Sequence, residues 1–246
     1  MTDNEYLFIF LAFIAEILGT VSGFGSSILF VPVASLFFDF KAVLGITAVF
    51  HIFSNLSKIA LFRQGNDKNI AIKLGIPAIV FVIFGAMLTH YLPTQLIELA
   101  MHIILVILAL YLMVNFSKTI AQTDRNLYLG GIASGFLAGL VGTGGAIRGI
   151  TLASFHLPKD IFIATSALID LGVDASRAVV YISNGYFLGK HIILIPFLIG
   201  ISIGGSYIGK QILKKTSEDV FRYIVLIVVI LSAIIQVLKD FGLVKL

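Results

Sequence analysis

Apolar runs fill this chain almost end to end, and short polar or glycine-rich breaks divide them. The runs cover residues 6–20, 26–38, 42–62, 70–91 and 95–115, then 127–141, 145–157, 160–182, 190–209 and 219–239. The last three of each set of five are long enough to cross a bilayer as helices. The first two of each set are short, and a cluster of glycines parts them. Each short pair is predicted to form a broken helix, a re-entrant hairpin or two short tilted spans.

The two sets of five are copies. A shift of 119 residues lays Gly23 and Gly25 on Gly142 and Gly144, and Ala34-Ser35 on Ala153-Ser154. It also lays Ala48 on Ala167, Ser57-Lys58 on Ser176-Arg177, Pro77 on Pro196 and Gly85 on Gly204. Coincident glycines, prolines and a serine–cation pair point to an internal repeat. The halves run from about 6 to 115 and from 127 to 240, joined by SKTIAQTDRN. As domains, this gives residues 1–117, a cytoplasmic linker 118–126, and residues 127–246.

Loop charge sets the orientation. The N-terminus carries Asp3 and Glu5 and is read as outside, whereas the loop with Arg63, Lys68 and Lys73 is read as cytoplasmic. HYLPTQ has no Lys or Arg and is read as outside. The linker, with Lys118 and Arg125, is read as inside. The loop with Lys210, Lys214 and Lys215 is read as inside, although its counterpart in the first half is HYLPTQ. The halves therefore have opposite topology, an architecture of secondary transporters. The repeat puts the C-terminus, with Lys239 and Lys245, outside. The predicted fold is an all-α polytopic membrane protein of two inverted repeats, each with a glycine-interrupted element and about three full spans.

Composition supports the membrane reading. The chain is 59% hydrophobic and 12% charged, with mean hydropathy +1.05, against about 25% charged residues in a soluble domain. The first run lacks a basic flank and is read as a retained segment rather than a cleaved signal. The absence of cysteine excludes disulfides, thiolate metal sites and cysteine nucleophiles. The absence of tryptophan leaves Tyr and Phe to form the interfacial belts. The basic residues form no long cluster, so the +4 charge is no nucleic-acid signal.

Candidate chemistry falls in two places. Gly23, Gly25, Ser26 and Ser27 match Gly142, Thr143, Gly144 and Gly145. Glycine lets the backbone turn there, and the half-helix that follows offers free N–H groups and a positive dipole end to an anion. Ser22 and Thr143 add hydroxyls. Arg148, one turn into the second half-helix, can grip an oxyanion in bidentate fashion. The alternative for Gly19, Gly23, Gly135 and Gly139 is close helix packing in a small-xxx-small pattern. The second place is a polar stripe. His51, Asn55 and Lys58 at i, i+4, i+7 match Asp170, Asp174 and Arg177 at the same spacing, so each set shares one helical face. Inside apolar segments such groups face a cavity or each other. Lys58 and Arg177 have the alternative of snorkelling to the interface. A salt-bridge set of Asp170 or Asp174 with Arg177 or Arg148 is the structural alternative, and one that substrate displaces would act as a switch. His51 or Asp170 is a candidate carrier of a coupling proton. Glu16, one turn before the first glycine cluster, is a supporting partner or a coupling acid. His102 and Glu98 are read as interfacial or packing residues, and Gly204-Gly205 and Gly209 as close helix contacts.

The paired elements Gly19-Thr-Val-Ser-Gly23-Phe-Gly25-Ser-Ser-Ile and Gly135-Phe-Leu-Ala-Gly139-Leu-Val-Gly142-Thr-Gly144-Gly145, with Pro32 after the first, resemble those of the sulfite exporter TauE/SafE family of membrane permeases. The resemblance covers nearly the whole chain. It departs at Ser26-Ser27, where glycines are common, and at Thr151, which stands in the place of Pro32. It implies export of small sulfur-containing or organic anions, such as sulfite or organosulfonates, across a bacterial cytoplasmic membrane by use of an ion gradient. The expected function is thus a secondary transporter with alternating access. A small-anion channel is the near alternative and an intramembrane enzyme the distant one, since HExxH and Gly-x-Ser-x-Gly motifs are absent. Expected partners are a small anion and the lipid bilayer. The reading also admits a proton or other coupling ion and a homodimer, with no cofactor, metal or nucleic acid.

Overall fold

A computed structural model describes residues 3–115 and 121–217, and beyond them residues 220, 223, 227, 230, 231, 234 and 238. Lys118, Lys239, Lys245 and most of the predicted last span, 219–239, lie outside the described residues, so their orientation assignments do too.

Among the described residues the protein is all helix and loop. The helices are α1 (Asp3–Ser22), α2 (Ser27–Ala34), α3 (Phe40–Leu61), α4 (Lys68–Tyr91), α5 (Thr94–Asn115), α6 (Asp124–Val141), α7 (Gly145–Ala153), α8 (Lys159–Ser183) and α9 (Ile195–Lys215). Side chains that cap free N–H groups fix several starts. Asp39 accepts from Ala42 N at 3.0 Å and Asp67 from Ile70 N at 2.9 Å. α1, α3, α4 and α9 with the 3-10 turn before it are long and apolar enough to cross a membrane. α8 has the length, at 25 residues, but Lys159, Asp160, Asp170, Asp174 and Arg177 lower its hydropathy. It is held between α3 and α4.

Two boundaries differ from the sequence reading. The second half's counterpart of α4 opens with a 3-10 turn, Gly189–Leu194, so Pro196 lies at the start of α9 whereas Pro77 lies inside α4. α9 also continues past 209 to Lys215. A lysine at that depth is tolerated because Lys210 Nζ donates to Leu61 O, a free carbonyl at the end of α3.

α2 folds back along α1. The Phe30 and Phe38 rings lie 5.8 and 5.0 Å from that of Phe8, while Gly19 meets the backbone of Ser26. α7 folds back along α6 in the same way, with Gly144 on Ser134 and Gly130 on Thr151. The turns rest on Gly23 (φ 70°) and Gly142 (φ 82°), both left-handed. α3 and α8 run side by side and antiparallel. Contacts pass from Gly45–Tyr186 through His51–Arg177 and Asn55–Asp174 to Asp67–Thr165. Outside this pair, α4 packs on α6 and α8, and α9 packs on α1 and α3. The outward faces are apolar: Ile72, Ile76, Ile83 and Met87 of α4 and Ile103, Ile107 and Leu110 of α5 are exposed, as lipid-facing helices require.

Candidate functional site

The tips of the two hairpins meet in the centre of the bundle. Ser27 Oγ lies 3.3 Å from Thr143 Oγ1, and Gly145 lies directly against Phe24 O. Between the tips and the α3–α8 pair is a small cavity of about 10 Å³, room for about one water-sized group. Gly25, Ser26 and Ser27 line it from one tip and Gly142, Gly144, Gly145 and Arg148 from the other. His51, Asn55, Lys58, Asp170, Asp174 and Arg177 line it from α3 and α8, so both predicted stripes face inward. A second cavity, also of about 10 Å³, adjoins it and shares Gly25, Asn55, Lys58 and Asp170. Gly23 lines this second space rather than the first.

Every cation here already has a carboxylate partner. Arg148 pairs with Asp170 and donates from Nε to Ser166 Oγ at 3.1 Å. Arg177 donates from Nε to Asp174 Oδ1 at 2.7 Å and from Nη1 to the Ala138 and Gly142 carbonyls at 3.1 and 2.8 Å. Those carbonyls belong to the last turn of α6, the negative end of its dipole. Lys58 lies 3.0 Å from Glu16 Oε1 and donates to Ser54 Oγ at 2.6 Å. Lys58 and Arg177 are 4% and 1% exposed, so neither snorkels to an interface. Asn55 Nδ2 donates to Asp174 Oδ2 at 2.7 Å.

Glu16 does not line the central cavity. It lies behind Ser26 and Lys58, fully buried, and accepts from Ser26 (2.6 Å), Ser54 (2.7 Å), Ser206 (2.8 Å) and Thr20 (3.3 Å). Ser22 turns back instead, donating to Gly19 O at 3.1 Å. The sequence reading passed over Thr20, Ser54, Ser166 and Ser206. Ser54 was legible, one turn before Lys58 on the same face. Ser166 and Ser206 carry no local signal and join the site only through helix packing. The described residues contain no group of three or more His, Cys, Asp or Glu side chains able to hold a metal.

Comparison with known proteins bears on what this arrangement serves. The model of the family described as Sulfite exporter TauE/SafE matches residues 8–235, nearly the whole chain. The chain belongs to the sulfite exporter TauE/SafE family. It is 28% identical over 258 residues to a protein of Methanocaldococcus jannaschii named as a probable membrane transporter, covering 96% of this chain and 94% of that one. It is 24% identical over 220 residues to a Bacillus subtilis protein of the same description, covering 84% and 89%. No solved structure matches the chain. As a TauE/SafE member, the protein is a membrane transporter and not an enzyme.

Proposed function

We propose that the protein is a secondary transporter of small sulfur-containing or organic anions, such as sulfite or organosulfonates, in the cytoplasmic membrane. Residues 1–117 and 127–246 form oppositely inserted repeats joined by 118–126, and the anion binds where their hairpin tips meet. Three features support the repeat. The matched helices α3 and α8 run antiparallel, their matched residues Asn55 and Asp174 touch, and α4 on α6 is mirrored by α9 on α1. Contact between counterpart residues is what a twofold relation requires near its axis.

One observation carries the binding site. Three buried cations, Lys58, Arg148 and Arg177, converge on one internal space, beside the amide-bearing start of α7 and the hydroxyls of Ser26, Ser27 and Thr143. An oxyanion with several acceptor oxygens matches this donor set. Burying ions in the membrane is costly unless they are paired. The carboxylates therefore balance the three cations, and an arriving anion takes the place of Asp170 on Arg148. That exchange favours a carrier over an open channel, because the pair must part before an anion can bind Arg148.

The test is flux into proteoliposomes of sulfite, an organosulfonate and a carboxylate, for native protein, Arg148→Ala and Arg177→Ala. The expected result is saturable flux in the native protein and loss of it in both variants. Equal flux in all three would remove the site, and no flux of any anion would remove the function.

A further inference from the structure

Glu16 and His51 are joined through one hydroxyl, and the count of hydrogens on that link sets its direction. Ser26 Oγ lies 2.6 Å from Glu16 Oε2 and 2.9 Å from His51 Nε2. A carboxylate can only accept and a serine has one hydrogen, so Ser26 donates to Glu16. Ser26 then accepts from His51 Nε2–H. The other ring nitrogen, Nδ1, carries no hydrogen and accepts from Arg177 Nη2 at 3.4 Å. The ring is neutral, held against Phe30 and Phe50, and lines the central cavity, whereas Glu16 lies behind it.

Charge adds an independent constraint. The buried ionised groups of the cluster are Lys58, Arg148 and Arg177 against Glu16, Asp170 and Asp174, and they cancel. Glu16 faces Thr20 on its own helix, Ser26 at the turn, Ser54 and Lys58 on α3 and Ser206 on α9. Of these, only Lys58 is charged. His51 faces Arg177 from α8, and Lys58, Arg148, Asp170 and Asp174 share its cavity. An anion entering this neutral cluster would leave one negative charge unbalanced in a low-dielectric interior.

We infer that Glu16 is the cation-binding site of the transport cycle and that His51 and Ser26 are the wire delivering a proton to it from the anion cavity, one proton for each singly charged anion. This rests on the anion-transport reading. When the anion draws Arg177 away from Nδ1, a hydronium ion entering the cavity gives its proton to Nδ1 and is left as water. The Nε2 proton passes to Ser26 Oγ, and the proton Ser26 held passes to Glu16 Oε2. His51 ends as the Nδ1–H tautomer, with Nε2 accepting from Ser26. Glu16 is then neutral, and Lys58, which already lines both cavities, is released from it to face the anion. Reversal along the same atoms resets the site. Proton and anion therefore travel in the same direction, and an exporter of this design runs on the anion's own outward gradient.

The test pairs transport with a measurement on the resting protein. Methanesulfonate keeps its charge across neutral pH and, with sulfite, serves as the transport probe. Native proteoliposomes are expected to accumulate the probe when the outside is acidified and to alkalinise the outside as it enters. In Ser26→Ala, His51→Gln and Glu16→Gln, acid-driven accumulation is expected to fall at least tenfold more than exchange of labelled for unlabelled probe. Ser26→Thr is expected to restore it. Probe flux without proton movement, or movement that follows sodium instead, would overturn the wire and leave the transport reading standing. Absence of flux for every anion would remove the transport reading. The wire still has its own check, which needs no variant to transport: nitrogen NMR of the native protein, with the His51 signal assigned by its loss in His51→Gln. The expected resting form is Nε2–H. A resting Nδ1–H or doubly protonated ring would overturn the proposal.

Discussion

The two long seams of the bundle, which the proposed repeat sets in matching places, are built from different material. Along α4–α6 the glycines are on both helices, Gly131, Gly135 and Gly139 on α6 and Gly85 on α4. A Cβ at Gly135 would lie 2.6 Å from Ala78 Cα, and one at Gly139 would lie 2.6 Å from Ala86 N. Backbone meets backbone, leaving no room for a side chain. Along α1–α9 the glycines are on α9, where Gly204, Gly205 and Gly209 face Phe13, Glu16 and Thr20. By the 119-residue shift Glu16 stands in the place of Gly135, and Thr20 in that of Gly139. The same close approach thus makes a rigid seam in one half and a carboxylate pocket in the other. The matched cations follow suit. Arg177 spreads over Asp174 and the α6 carbonyls, whereas Lys58 reaches across to Glu16. Glu16 can therefore be neutralised without dismantling a helix end, whereas Arg177 is tied to the end of α6.

Substitutions on the two sides should therefore fail differently. The largest effect is expected for Arg177→Ala, which strands Asp174 and costs about 3–5 kcal/mol, as removal of one partner of a buried pair does. Thermal melting should fall sharply, and Arg177→Lys should recover only part because it cannot keep the forked contacts. Next, Gly135→Val should cost about 3 kcal/mol, the upper end of overpacking, because backbone cannot yield. Its remaining folded fraction should transport normally per molecule, and a selective loss of transport would contradict the scaffold role of this seam. Asn55→Ala removes a hydrogen bond to a carboxylate, about 2 kcal/mol, and should weaken anion affinity with modest loss of melting temperature. The smallest stability effect, about 1 kcal/mol, the lower end of overpacking, is expected for Gly205→Ala, whose new methyl would meet Glu16 Cγ at 2.8 Å and Cβ at 2.9 Å and push the carboxylate off its donors. If the comparison is right, this variant loses driven accumulation before it loses stability. Equal damage to both would mean that the α1–α9 seam is scaffold as well.

Much of this organisation can be read along the chain. Hydropathy and glycine spacing place the helix breaks near 23 and 142, and period 3.6 sets His51, Asn55 and Lys58 on one face and Asp170, Asp174 and Arg177 on the other. Both stripes do line one cavity. These features are local, carried by neighbouring residues and by a repeat visible as text. The choice between a broken helix and a hairpin was not legible, because it depends on where α2 finds apolar surface, and Phe8 supplies it.

Partner choice was not legible either. Sequence placed Arg148, Asp170, Asp174 and Arg177 in one neighbourhood and set Asp174 three residues before Arg177 on one helix, but only packing of α7 against α8 gave Asp170 to Arg148, and only the antiparallel packing of α8 on α3 gave Asp174 to Asn55 as well. Glu16 shows the limit most clearly. Its position before the glycines was evident, but its five donors come from four separate stretches of chain, brought within 3.3 Å by the glycine face of α9 and the fold-back of α2. Sequence alone determined which segments are apolar and which of their faces are polar, since solvation acts residue by residue. Tertiary structure alone decided which charge answers which, since a hydrogen bond exists only once two distant surfaces have packed.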